Sequence, residues 1–289
     1  MIVTVYAGSL PLFQAYDYFT MTITNPLLLQ NPIEFIDKIK PAHVEEAITQ
    51  VLEENKAIVD SLVNKANQSP DTISWQNFMY PLDLLEDRLG KVWSPVSHLN
   101  SVCNSNDLRE AYDKGLALLT EYSTSLGLNK GLFEATTTLF NKAEALSLSA
   151  TQKHILKDSL IDFKLSGMHL NLEEQKIYAE IQTRLAELSS KYEQNLMDST
   201  MAWTKPITDV QVLIGLPDSE LAMMAENANI REQSDYLITL EIPSYIAIMT
   251  YADNRELREE VYKAYSTRAS DLAIEPQYDN SEIMAELLS

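Results

Sequence analysis

Residues 171–203 read NLEEQKIYAEIQTRLAELSSKYEQNLMDSTMAW, and this stretch decides the fold. Ile177, Ile181, Leu185, Leu188, Tyr192 and Leu196 recur every three or four positions and Trp203 closes the series. That spacing predicts one apolar stripe along a helix of about thirty residues, the longest of the chain. Asn171 and Glu174 supply a capping box at its start, the asparagine oxygen accepting an orphan helix N–H while the glutamate reaches back to the Asn171 N–H. The same device recurs upstream at Ser149 and Gln152, opening a helix that runs to Gly167. A helix that long with a single apolar face needs other helices to bury it against, so the expected architecture is mostly α and multi-helical.

Upstream, the period stays helical. From Pro41, well suited to a first turn, Val44, Ile48, Val51, Leu52, Ile58, Val59, Leu62 and Ala66 fall on one face, and residues 67–71 break the pattern. A second helix is expected from Ser74, with Trp75, Phe78, Met79, Leu82, Leu85 and Leu89 inward and a kink at Pro81. A third spans roughly Ser105 to Leu126 through Leu108, Tyr112, Leu119 and Tyr122, and Gly127 and Gly131 punctuate the turn into a fourth.

Downstream, the period switches to two at Val210, Val212 and Ile214, and again at Tyr236, Ile238, Leu240 and Ile242, which predicts a small pair of short strands. Pro217 opens a helix through Leu221 and Met224, and helices resume after Pro243 through Met249, Leu257, Val261 and Ala264. Asn280 reads as an N-cap for SEIMAELLS, whose apolar Ile283, Met284, Leu287 and Leu288 have no C-cap after them, so 280–289 is expected to be the start of a truncated helix. Residues 1–20 lack a positive n-region and contain Pro11 and Asp17, which argues against a signal peptide or a membrane span. They are expected to be a loose extension ahead of Met21, leaving 21–279 as the helical domain.

Composition narrows the partners. The 289 residues carry 42 acidic and 22 basic side chains, a formal charge of -20, and only seven glycines. Such a field repels phosphate backbones and anionic lipid, so neither nucleic acid nor a membrane is expected as a partner. A single cysteine, Cys103, cannot form an internal disulfide, which fits a reducing compartment and a cytoplasmic location.

Chemistry is sparse. His43, His98, His154 and His169 are the residues that could hold a metal or move a proton, yet none stands in an HExxH arrangement. His154 with Asp158, and His169 with Glu173, share helix faces as surface pairs; His98 is expected to be a hydrogen-bonded interior histidine. Cys103 lies five residues from His98 across an expected turn, without nucleophile geometry. No GxSxG, GxGxxG, P-loop or EF-hand pattern is present. No position is therefore assigned a catalytic or metal-binding role, and the substrate-binding residues stay unassigned.

Longer strings carry more. RLGKVWSPVSHLNSV at Arg88–Val102, LREAY at Leu108–Tyr112, DSTMAWTKPITD at Asp198–Asp209, GLP at Gly215–Pro217, YLITLEIPSYIAIMTYADN at Tyr236–Asn254 and AYSTRASD at Ala264–Asp271 resemble the N-terminal region of the thimet oligopeptidase family of zinc metallopeptidases. The resemblance runs from about Asn25 to the end. It implies the helical N-terminal domain of a channel-type metallo-oligopeptidase, with a small two-stranded β element. It further implies a zinc-dependent cytosolic endopeptidase acting on short peptides, including cleaved signal peptides, in which HExxH and a later glutamate hold the metal. HExxH is missing here, so the chain itself is expected to bind no cofactor and to be inactive alone, with zinc belonging to the full-length enzyme. Two alternatives stand beside that expectation: activity recovered by pairing with a separately encoded C-terminal catalytic half, and a free-standing, non-catalytic helical peptide-binding protein.

Overall fold

A 27-residue helix, α1 (Ala42–Gln68), organises the first half of the molecule because it presents apolar side chains along its whole length. Residues 25–233, 235–273 and 275–289 are described by the structure, a computed structural model, and the expectation for residues 1–20 lies outside them. The first half of α1 buries Val44, Ala47, Ile48, Val51 and Leu52 against α2 (Tyr80–Val102) and α3 (Asn106–Gly127). Its second half buries Val59, Leu62 and Ala66 with Phe78 and Met79 and with Leu132, Ala135 and Leu139 of α4 (Lys130–Asn141). Two clusters thus share one helix, and removal of this apolar surface from water is what holds the helices in place.

The predicted caps are present. Ser149 and Gln152 close both hydrogen bonds of a capping box at α5 (Ala150–Leu165), and Asn171 and Glu174 do the same at α6 (Leu172–Ala202), which is 31 residues long. α5 packs on α4 and α6 on α3. Ser74 caps a π-helical turn, Trp75–Met79, that runs directly into α2. The irregularity expected at Pro81 is present: Pro81 lies within one continuous helical run from Trp75, and the turn before it is wound as a π-helix, Trp75–Met79.

The second half forms its own core. Ile207, Leu213, Met224, Ile238, Leu240, Ile248, Leu257 and Val261 pack together, drawn from β1 (Thr204–Ile207), α7 (Asp218–Ile230), β2 (Tyr236–Thr239), α8 (Ile242–Tyr251), α9 (Arg255–Thr267) and the segments joining them. β1 and β2 pair antiparallel, with Thr204 opposite Thr239 and Ile207 opposite Tyr236. The two-stranded element is therefore real, but its first strand is misplaced by the sequence pattern. Val210–Leu213 is a 3-10 turn capped by Asp209, whose carboxylate accepts from the Gln211 N–H at 2.9 Å. Ile242 and Pro243 likewise begin α8 and do not extend β2.

The last helix, α10 (Ser281–Leu287), lies against α6. Asn280 does not cap it: the buried side chain accepts from Asn195 Nδ2 at 2.8 Å and donates to the Tyr192 carbonyl at 3.0 Å, tying the segment to α6. Asp279 takes the capping part, accepting from the Ser281 N–H at 2.9 Å.

Candidate functional site

Two clefts flank α3, and the side chains that set their shape come from helices far apart in sequence. One, of about 550 Å³, lies between α2, α3 and α6 and is lined by Gly90, Trp93, Leu116, Leu119, Gln182 and Leu185, among others. Gly90 has open space where a side chain would stand, and Trp93 stacks on Tyr112 with ring centroids 4.8 Å apart. The other, of about 380 Å³, lies among α1 to α5, over Asn55, Val59, Leu85, Tyr122, Leu132 and Phe163. Glu86, Leu89, Tyr122, Ser123 and Leu126 line both, so the clefts adjoin along α2 and α3.

The α3–α6 wall is fixed by polar side chains. The Arg109 guanidinium donates through two nitrogens to the Asp198 carboxylate, with Nη1 to Oδ2 at 2.6 Å, and through Nε to Asn104. One helical turn along, the Asp113 carboxylate accepts from Ser190 Oγ at 2.6 Å and from Gln194 Nε2 at 3.0 Å. Bidentate charge-assisted pairing sets angle as well as distance, so it holds α6 against α3 beside the first cleft. The two sides of this clamp lie in the strings LREAY and DSTMAWTKPITD.

The second cleft has an unusual floor. Asn55, on the apolar face of α1, is 1% exposed. Its amide donates to the Leu85 carbonyl at 3.4 Å, while its Oδ1 has no hydrogen-bond partner. Beside it, burial pushes the Tyr122 phenol above its ordinary range; the Asn55 amide opposes that shift and the nearby Glu86 carboxylate adds to it.

The four histidines do not converge. His43 accepts the Lys40 N–H on Nδ1 at 3.1 Å. His154 sits 3.2 Å from Asp158 on the exposed face of α5, as the i,i+4 spacing predicted. His169 is exposed in the turn between α5 and α6, outside the helix that carries Glu173, which corrects the shared helix face expected for that pair, and His98 is exposed on α2, which corrects the interior placement expected for it. Its apolar neighbours Val92, Pro95 and Val96 turn inward, and one hundred degrees of helical rotation per residue carries position 98 outward. Cys103 is exposed at the end of α2. Among the described residues no three His, Cys, Asp or Glu side chains come together as a ligand set for a metal ion. The donors present therefore do not fit zinc, and no chemistry is routed through one.

Fold and clefts define a mostly helical domain that presents walls and grooves. Residues 47–176 match the family described as "Neurolysin/Thimet oligopeptidase, N-terminal domain". Over 268 residues, 92% of the chain, it is 47% identical to the "Oligopeptidase A" of Salmonella typhimurium and 46% identical to that of Escherichia coli. A "Probable cytosolic oligopeptidase A" of Arabidopsis thaliana is 30% identical over 92% of the chain. The chain is similar to the N-terminal part of the oligopeptidases A, and within it residues 47–176 match the N-terminal domain of the neurolysin/thimet oligopeptidase family. It spans 39% of the length of the two bacterial relatives.

Sequence reasoning missed Asn55 and the Arg109–Asp198 clamp. Asn55 was findable: positions 48, 51, 52, 55 and 59 share one helix face, and a polar residue among them is a signal. The clamp joins residues 89 positions apart and leaves no local trace.

Proposed function

We propose that this chain is the non-catalytic N-terminal part of a zinc-dependent cytoplasmic oligopeptidase whose substrates are short peptides, cleaved signal peptides among them. The observation that carries it is the match of 92% of this chain to 39% of bacterial oligopeptidase A, in a sequence that holds no HExxH. Zinc, the activating glutamate and the oxyanion donors belong, on this reading, to the remainder of the relatives' length. The helices present here contribute the wall against which a peptide is held, and catalysis requires the metal-bearing part as partner. Among the described residues no helix is long and apolar enough to cross a membrane.

A quenched fluorescent peptide tests it. The purified chain with added zinc should give no hydrolysis, and supplying the remaining part of the Salmonella enzyme should restore zinc-dependent cleavage. Chelator-sensitive hydrolysis by this chain alone would overturn the proposal. Metal-independent peptide binding without any recovery of activity would favour the free-standing peptide-binding protein instead.

A further inference from the structure

We propose that the outer face of α8 is an interaction surface that packs against the metal-bearing remainder of the oligopeptidase, an inference that rests on the peptidase reading for the identity of its partner. α8 reads IPSYIAIMTY and carries no charged side chain, whereas every other α-helix among the described residues carries at least one. Its inner row, Ser244, Ala247 and Ile248, is buried. The opposite row, Ile242, Ile246 and Thr250 at a spacing of four with Pro243 beside it, is exposed, Ile242 at 56% and Ile246 at 50%. A helix that is apolar all round is ordinarily buried all round, and this one is covered on one side only. Tyr251 and Ile214 extend the exposed apolar surface past its last turn, where the Asp253 N–H donates to the Ile214 carbonyl at 2.9 Å.

The face is held in place before any partner arrives. The Thr239 N–H donates to Ser244 Oγ at 3.0 Å, which fixes the start of α8 to β2. Tyr245 stacks on Tyr265 of α9 with ring centroids 3.9 Å apart, and the Arg268 guanidinium lies 3.7 Å from the Tyr265 ring centroid. A surface fixed in this way loses little freedom on docking. Its chemistry then selects the partner. Having no charge, it offers no ion pair to steer a passing protein, and covering it strands no ion in a dry interface. Interfaces of that composition belong to permanently associated parts, which resemble a core cut in two. A second copy would bring another formal charge of -20 against this one, and anionic lipid meets the same repulsion. The chain matches only 39% of the length of its bacterial relatives, which leaves the larger part of them to cover the face.

Cysteine labelling tests the assignment. In a Cys103→Ser background, Ile246→Cys should react freely with a maleimide in the full 289-residue chain. In a chimera where this chain replaces the part it matches in the Salmonella enzyme, the same cysteine should react about 10-fold more slowly, and urea should restore its rate. Equal rates in the isolated chain and the chimera would overturn the proposal; if that shared rate falls when a short peptide is added, the face belongs to substrate. An isolated chain already protected, and more so at higher concentration, would overturn it in favour of a second copy. Zinc-dependent peptide hydrolysis by the chimera is read separately. An inactive chimera with a protected cysteine overturns the peptidase reading and leaves the surface assigned, whereas an active chimera with an unprotected cysteine does the reverse.

Discussion

Gly215 and Gly90 are the same residue under opposite constraints. Gly215 has φ +101, and a Cβ there would stand 2.2 Å from the Tyr251 carbonyl oxygen, beside the hydrogen bond from the Asp253 N–H to the Ile214 carbonyl. Only glycine tolerates that backbone beside so close a neighbour. Gly215→Ala should cost about 2 kcal/mol or more, read as a lower urea midpoint at unchanged slope. Gly90 lies inside α2 with nothing within 4 Å of its missing side chain. Gly90→Ala should raise stability by about 0.5–1 kcal/mol, because alanine loses less backbone freedom in a helix. Equal midpoints for the two variants would refute the assignment of strain. Gly215 sits in the string GLP, and nothing local in that string marks it as a residue pinned under Tyr251, 36 positions away.

At the scale of elements, two contacts between helices differ in how solvent weakens them. Arg109 and Asp198, at 20% and 28% side-chain exposure, are largely shielded, so breaking the pair leaves a partly buried charge without its partner. Arg109→Met and Asp198→Asn should each cost about 1.5–3 kcal/mol, and the double variant should cost less than the sum, giving a coupling energy near 1 kcal/mol or above. Additive losses in a double-mutant cycle would show that the pair does not hold α3 to α6. Arg184 and Glu286 join α6 to α10 in solvent, with Nε to Oε1 at 2.6 Å. The guanidinium holds the Glu286 carboxyl below its ordinary range. A depressed folded pKa gives stabilisation that is complete above the unfolded value and lost as pH falls through the folded one. Amides of α10 should therefore lose exchange protection as pH drops below the ordinary glutamate range, and Glu286→Gln should flatten that dependence.

Legibility follows the same division. Helices were readable because their signals are local: a 3.6 period and caps such as Asn171–Glu174 need only neighbouring residues. The strand pair was half readable. Tyr236–Thr239 is a strand where one was read, with Leu237, Ile238 and Thr239 all buried, but β1 is Thr204–Ile207, whose Pro206 and Lys205 carry no alternation, and it is a strand because β2 pairs with it. Strand character there is conferred by a partner about thirty residues away, and no local pattern records it. The candidate site was less readable still, since its walls meet only once five helices have packed.

For the whole molecule, charge and exposed apolar surface oppose each other. The stripe read on α6 is buried only toward its C-terminal half: Leu188 is inside, while Leu172, Ile177 and Ile181 face solvent. Leu165 just before them and Leu272 and Leu288 elsewhere are also exposed. Apolar side chains at such positions favour association, whereas a formal charge of -20 drives copies apart. The repulsion is screened by salt and the apolar attraction is not: the Debye length falls from about 10 Å at 0.1 M to about 3 Å at 1 M. The isolated chain should therefore sediment as a monomer in dilute buffer and gain mass as sodium chloride approaches 1 M. Leu172→Glu with Ile177→Glu should keep it monomeric at both salt concentrations while leaving its helical content unchanged. If association is instead strongest at low salt, ion pairs between copies drive it, and the exposed half of α6 is not the surface responsible.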